Sequence, residues 1–106
     1  MKPLYLIGLH ISFQEIPNIQ GGSGDELIST IAGNTVLLPC TTEGNPVPVI
    51  TWSRDNGDLP ANRTVNTPIG IAIDAVQVQD TGKYTCSASN LLGTTTKTFI
   101  LAVQSR

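Results

Sequence analysis

From about residue 27 onward the chain reads in twos. Val36, Leu38 and Cys40 alternate with Leu37, Pro39 and Thr41, and Ile50 and Trp52 alternate with Thr51 and Ser53. Gly70-Ile71-Ala72-Ile73 restores the pattern after a gap, and Val76 continues its inward face after a shift of one position. Tyr84, Cys86 and Ala88 then share a face, as do Phe99, Leu101 and Val103. A period of two belongs to a strand with one face buried and the other solvated. The predicted strands are Leu27–Ile31, Thr35–Thr41, the segment around Trp52, Gly70–Ile73, the segment around Cys86 and a last strand through Phe99. The predicted core includes Leu38, Ile50, Trp52, Ile73 and Tyr84.

The breaks between these runs have turn chemistry. Ala32-Gly33-Asn34 turns the chain, Gly44-Asn45-Pro46-Val47-Pro48 is a loop, Asn56-Gly57 is a strong turn signal, and Asn90-Leu91-Leu92-Gly93 makes a hairpin. Pro39 needs a position where no ladder hydrogen bond is lost. From Leu59 to Pro68 alternation weakens, which predicts short edge strands. Gln77 to Asp80 is a corner leading into Asp80-Thr81-Gly82-Lys83-Tyr84-Thr85-Cys86. There Asp80 is placed to accept hydrogen bonds, Gly82 to allow close backbone approach, and Tyr84 to return its hydroxyl to the corner's backbone. Thr94-Thr95-Thr96 suits the solvated end of the last strand.

The first 24 residues divide differently. Met1-Lys2 followed by Leu4-Tyr5-Leu6-Ile7-Gly8-Leu9 has the outline of a signal peptide, but the run is short and no clean cleavage site follows. Leu9, Ile11 and Phe13 alternate with His10, Ser12 and Gln14, so residues 1–16 read either as a leader or as the last strand of a preceding domain. Residues 17–24, Pro17-Asn18-Ile19 and then a glycine-rich run, read as a linker. The domain proper spans 25–104.

Composition narrows the function. The 106 residues make one domain, with 40% apolar and only 13% charged residues, a β-protein's balance. Six basic residues are scattered among eight acids, for a net charge of −2, which leaves no basic footprint for nucleic acid. No apolar run approaches the roughly 18 residues a spanning helix needs, so no membrane insertion is expected from this segment. The lone histidine lies outside the core motifs, so no nucleophilic triad is supported. Asp55, Asp58 and Asp74 read as solvated charge rather than as a metal or acid–base site, and no cofactor is implied. Cys40 and Cys86 stand 46 positions apart, too far for a local CxxC element. Buried free thiols and a disulfide both remain open on these grounds.

The spaced motifs nevertheless have a family likeness. Gly44-Asn45-Pro46-Val47-Pro48, Ile50-Thr51-Trp52, Ile71-Ala72-Ile73, Asp80 to Cys86 and Ala88-Ser89-Asn90-Leu91-Leu92-Gly93 occur in the order of an immunoglobulin domain of the I-set, which the chain resembles from about Ile19 to Val103. Ile16-Pro17-Asn18-Ile19 and the Thr98–Val103 exit resemble the tandem repeats of hemicentin-type matrix proteins, with peroxidasin-like and roundabout-like proteins similar at the same points. The resemblance implies an immunoglobulin-like Greek-key β-sandwich with one inter-sheet disulfide, Cys40–Cys86, under the Trp52 indole. It also implies that Arg63 and Asp80 form a bidentate salt bridge, against the alternative of an exposed arginine worth under about 1 kcal/mol. The function implied is a non-enzymatic structural or adhesive module of a larger extracellular or cell-surface protein. Its partners would be proteins: neighbouring immunoglobulin domains, matrix or cell-surface proteins. A receptor ectodomain's ligand-binding unit and an intracellular muscle-type bead are the alternatives. Asn62-Arg63-Thr64 is the only glycosylation sequon, making Asn62 the candidate acceptor. The candidate contact regions are Gly44–Pro48, Arg54–Asp58 and the exposed strand faces.

Overall fold

The computed structural model describes residues 4–7 and 10–106. Two layers face one another. One is a four-stranded sheet in the order β4 (Asp25–Ile31), β11 (Gly93–Gln104), β10 (Gly82–Asn90), β7 (Val49–Arg54). Its strands are antiparallel except for β4, which runs parallel to β11. The other is the antiparallel sheet β5 (Val36–Pro39), β9 (Gly70–Ile73), β8 (Thr64–Thr67). Beyond Cys40 the chain of β5 continues as β6 (Thr42–Asn45), which pairs with β3 (Glu15–Ile19). The layers are joined covalently by Cys40–Cys86, with Cα atoms 6.5 Å apart.

The core follows the alternation. Leu38, Ile71, Ile73, Tyr84, Phe99 and Leu101 are fully buried, with Val36, Val76 and Val103 nearly so. A second cluster gathers Ile19, Cys40, Cys86 and Ala88 around the disulfide. Trp52 touches both clusters, lies opposite Cys86 in the β7–β10 register and stacks on Phe99 at 5.8 Å. It and Ile50, both predicted as core, are only half-buried. The edges of β7 and β8 leave a cleft of about 240 Å³ lined by Ile50, Trp52, Thr42, Asn66 and Thr67, because residues 55–63 turn instead of adding a covering strand. The weak patterning before Gly70 thus yields one four-residue edge strand, β8.

Gly70 makes the close approach that the sequence suggested for Gly82. At Gly70 φ is +147°, and a Cβ would lie 2.0 Å from the Leu38 carbonyl oxygen. At Gly82 the nearest atom would be Arg54 Nε at 3.6 Å, an ordinary contact. The register explains this: Pro39 lies opposite Gly70 at the end of its ladder.

The N-terminal stretch also departs from the expected boundaries. Residues 15–19 form one strand, β3, across the boundary expected between the 1–16 stretch and the 17–24 linker, with Ile19 only 1% exposed against the disulfide. Pro17 is tolerated because the β3–β6 register shifts between Glu15 and Asn18, so its missing N–H costs no regular ladder bond. The glycine-rich turn follows, with Gln20 N–H still bonded to Thr41 O at 2.8 Å. Upstream, β1 (Leu4–Ile7) and β2 (His10–Phe13) pair antiparallel, and Leu9 and the leader-like Met1-Lys2-Pro3 lie outside the described residues.

Closing a loop of 46 residues restricts the unfolded chain by about 4 kcal/mol. The Cys40→Ala/Cys86→Ala variant should therefore lose roughly 2–5 kcal/mol in urea unfolding. Native protein should show no titratable thiol until it is unfolded in reductant.

Candidate interaction surface and the corner that closes the opposite end

The two ends of the sandwich are built in opposite ways. At one end the chain turns through a short 3₁₀ segment, Val78–Asp80, before β10. Asp80 is 2% exposed. Its carboxylate accepts from Arg63 Nη1 at 2.8 Å and Nη2 at 2.9 Å, and from the Gln77 N–H at 2.8 Å. Its backbone carbonyl accepts the buried Tyr84 hydroxyl at 2.6 Å. Arg63 Nη1 reaches the carbonyls of Asp74 and Ala75 as well, both at 3.1 Å. Arg63 and Asp80 therefore form a two-pronged ion pair around a buried carboxylate, and Tyr84 returns its hydroxyl to the corner.

Arg54 is the member of this end that the sequence did not announce. Its Nη2 donates to Gln79 O at 2.6 Å, and its guanidinium lies 5.3 Å from the Tyr84 ring centre. The Arg54–Asp58 region, a candidate contact loop, is thus partly engaged in holding its own domain. Burial alone would push the Asp80 carboxyl up. The bonds from Arg63 and Gln77, with the Arg63 and Arg54 charges, outweigh burial and hold it below the usual carboxylate value. Burial pushes the Tyr84 hydroxyl up, since an ionised phenolate there would lose its water.

The other end is held together by two asparagines. Asn90 Nδ2 donates to Glu15 O at 2.7 Å and Pro46 O at 3.1 Å, while its Oδ1 accepts the Leu92 N–H. Asn45 Nδ2 donates to Phe13 O, and Thr95 Oγ1 to Pro17 O at 2.6 Å. These bonds tie the incoming segment, the Gly44–Pro48 loop and the Asn90–Gly93 hairpin into one surface. Around them stand Phe13, Ile16, Val47 and Leu91, each between 59% and 85% exposed. These side chains make this end a candidate contact surface, while Leu27 and Val49 are comparably exposed elsewhere on the domain. The hydroxyls of Ser89 and Thr94 also bond to each other across the hairpin, at 2.7 Å.

Two other placements complete the comparison with the sequence. Asn62 is exposed in a turn, with φ 63°. Lys97 lies on the inward side of β11, only 6% exposed, paired with Glu26 at 3.0 Å and 5.4 Å from the Phe99 ring centre. The alternation Thr95, Lys97, Phe99 carried that signal, but its charge argues for the solvated face. Among the described residues no group of three or more His, Cys, Asp or Glu could hold a metal ion, and no helix is long and apolar enough to cross a membrane.

Two disulfide-joined layers, antiparallel but for β4, with a tryptophan against the bridge and a tyrosine bonded back to its corner, define an immunoglobulin-like sandwich. Residues 25–103 match the family described as the immunoglobulin I-set domain. The chain belongs to that family. Relatives include the human neural cell adhesion molecule L1-like protein, 38% identical over 84% of this chain and 8% of that protein. Human hemicentin-1 is 39% identical over 84% of this chain and 2% of its own length. The chain thus spans a small fraction of either relative. Among solved structures, the insect immune protein hemolin superposes with a TM-score of 0.77 at 25% identity, covering 95% of this chain and 28% of that one. Sidekick-1 immunoglobulin domains 1–5 give 0.76 at 25% identity, over 97% of this chain and 24% of that one.

Replacing Asp80 with Ala leaves Arg63 without its partner and should cost roughly 3 kcal/mol in urea unfolding, the lower end for a broken buried pair because Arg63 can rehydrate. The carboxylate's lowered pKa gives a sign for pH. Its contribution is complete above about pH 4, the unfolded value, and is lost as pH falls through the folded value. Unfolding measured from pH 7 down to pH 2 should show a steeper acid loss for the native sequence than for Asp80→Asn.

Proposed function

We propose that this domain is a non-enzymatic adhesive or structural unit of a larger extracellular or cell-surface protein, working through protein–protein contact at the Phe13, Ile16, Val47 and Leu91 end. The observation that carries the reading is that end itself. Three separate chain segments are fixed by asparagine side chains, and large apolar groups are left facing water. Exposed apolar surface gains free energy only when something covers it, at about 25 cal/mol per Å² before the costs of association. The relatives named cell adhesion molecules support a protein partner rather than a small substrate. The disulfide supports an oxidising compartment over an intracellular bead, although the fold is also that of a titin Z1Z2 chimera, with a TM-score of 0.73 at 24% identity.

The test is attachment of domain-coated beads to one another and to matrix- or cell-coated surfaces. The Val47→Asp/Leu91→Asp variant should keep its urea midpoint, since both side chains are exposed and neither lies in the core. It should lose at least fivefold in attachment. Equal attachment by a folded variant would reject this end as the contact surface.

A further inference from the structure

We infer that Asn62 is an N-glycosylation acceptor whose occupancy is set by a race between modification and closure of the fold. The inference rests on the extracellular reading above. Asn62 is exposed, so an attached oligosaccharide need not disturb the core. The next two residues of the sequon are a different matter. The Arg63 guanidinium is bound to both Asp80 oxygens and to the Asp74 and Ala75 carbonyls, and its own carbonyl accepts the Asp74 N–H at 2.8 Å. Thr64 is paired with Ile73 in β8, and its hydroxyl proton is already given to Pro60 O at 2.9 Å.

In the transfer, the Asn62 amide nitrogen bonds to the anomeric carbon of a lipid-pyrophosphate-linked oligosaccharide. The anomeric C–O bond breaks, the lipid pyrophosphate leaves with that electron pair, and one amide proton passes to base. The transferase selects the acceptor by the hydroxyl two positions on. That hydroxyl belongs to Thr64, and the folded domain holds it in a turn whose other members are ladder and ion-pair residues. The acceptor is therefore presented before folding and withheld afterwards.

Chain order sets the window. Asp80 follows Arg63 by 17 positions. At roughly 5–20 residues per second it emerges within about 1–3 s. Disulfide formation takes seconds to hours. Pairing of Cys40 with Cys86, the later step, governs how long the sequon stays open.

The experiment uses the full chain, directed into the secretory pathway by an added signal peptide and carrying a second Asn-Ala-Thr acceptor on a flexible C-terminal tail. Occupancy at each acceptor is read by mass spectrometry. Partial occupancy at Asn62 is expected, with the bare fraction falling at least twofold in Asp80→Ala and when reductant is present during synthesis. Purified, folded, unmodified protein given to a microsomal transferase with lipid-linked oligosaccharide should gain a glycan on the tail alone, and after reduction and unfolding on Asn62 too. The proposal is overturned by a bare Asn62 in every form while the tail is modified. Equal occupancy in the native sequence, the variant and the reduced sample overturns it as well, and so does transfer to folded Asn62. The added signal supplies delivery, so a result against the race leaves the adhesive reading standing, and failed bead attachment leaves the race standing.

Discussion

A single buried carboxylate sets the terms for one end of this molecule. Asp80 has almost no contact with water, and an anion in that position is tolerable only with its oxygens occupied. Arg63 reaches it from the segment before β8, the Gln77 N–H from the corner itself, and the Tyr84 hydroxyl takes the backbone oxygen of the same residue. Three stretches of chain must be correctly placed for that residue to be satisfied. The ring that Tyr84 contributes is also part of the main core, so polar closure and apolar packing are one structure.

The far end follows another logic. Asn45 and Asn90 bond to its backbone carbonyls, and while Gln14, Pro17 and Pro48 are buried, Phe13, Ile16, Val47 and Leu91 face outward. The end containing Asp80 closes on its own buried carboxylate and leaves Val78 half-exposed, whereas the end ringed by Phe13, Ile16, Val47 and Leu91 keeps four large apolar side chains in water. The contact proposed for the far end would draw on side chains outside the core, while the Asp80 corner keeps the domain rigid.

Much of this was legible in the sequence, for identifiable reasons. Alternation gave Leu38, Ile73, Tyr84, Phe99 and their neighbours their inward positions, because a period of two leaves no other face for them. The pairing of Cys40 with Cys86, and of Arg63 with Asp80, came from family likeness and not from periodicity. What could not be read was long-range. Pro17 looked like a linker residue because the register shift that accommodates it arises in the pairing with β6, dozens of residues away. Lys97 drew no reading of its own, and its inward position is explained by the pairing with Glu26 and the Phe99 ring beneath it. Trp52 looked fully enclosed because nothing local says that the turns after Arg54 leave a cleft beside it. The apolar end was missed as a unit for the same reason: its members come from three stretches that only the fold brings together.

The parallel alignment of β4 with β11 has a mechanical meaning. Seven residue pairs, from Asp25 opposite Thr98 to Ile31 opposite Gln104, lie in uninterrupted register. Tension that draws β4 back toward its start and β11 onward past its finish slides the two strands along one another. Every rung then bears load at once, where an antiparallel hairpin pulled from its open end would unzip rung by rung. Resistance to stretching is thus concentrated in the β4–β11 ladder.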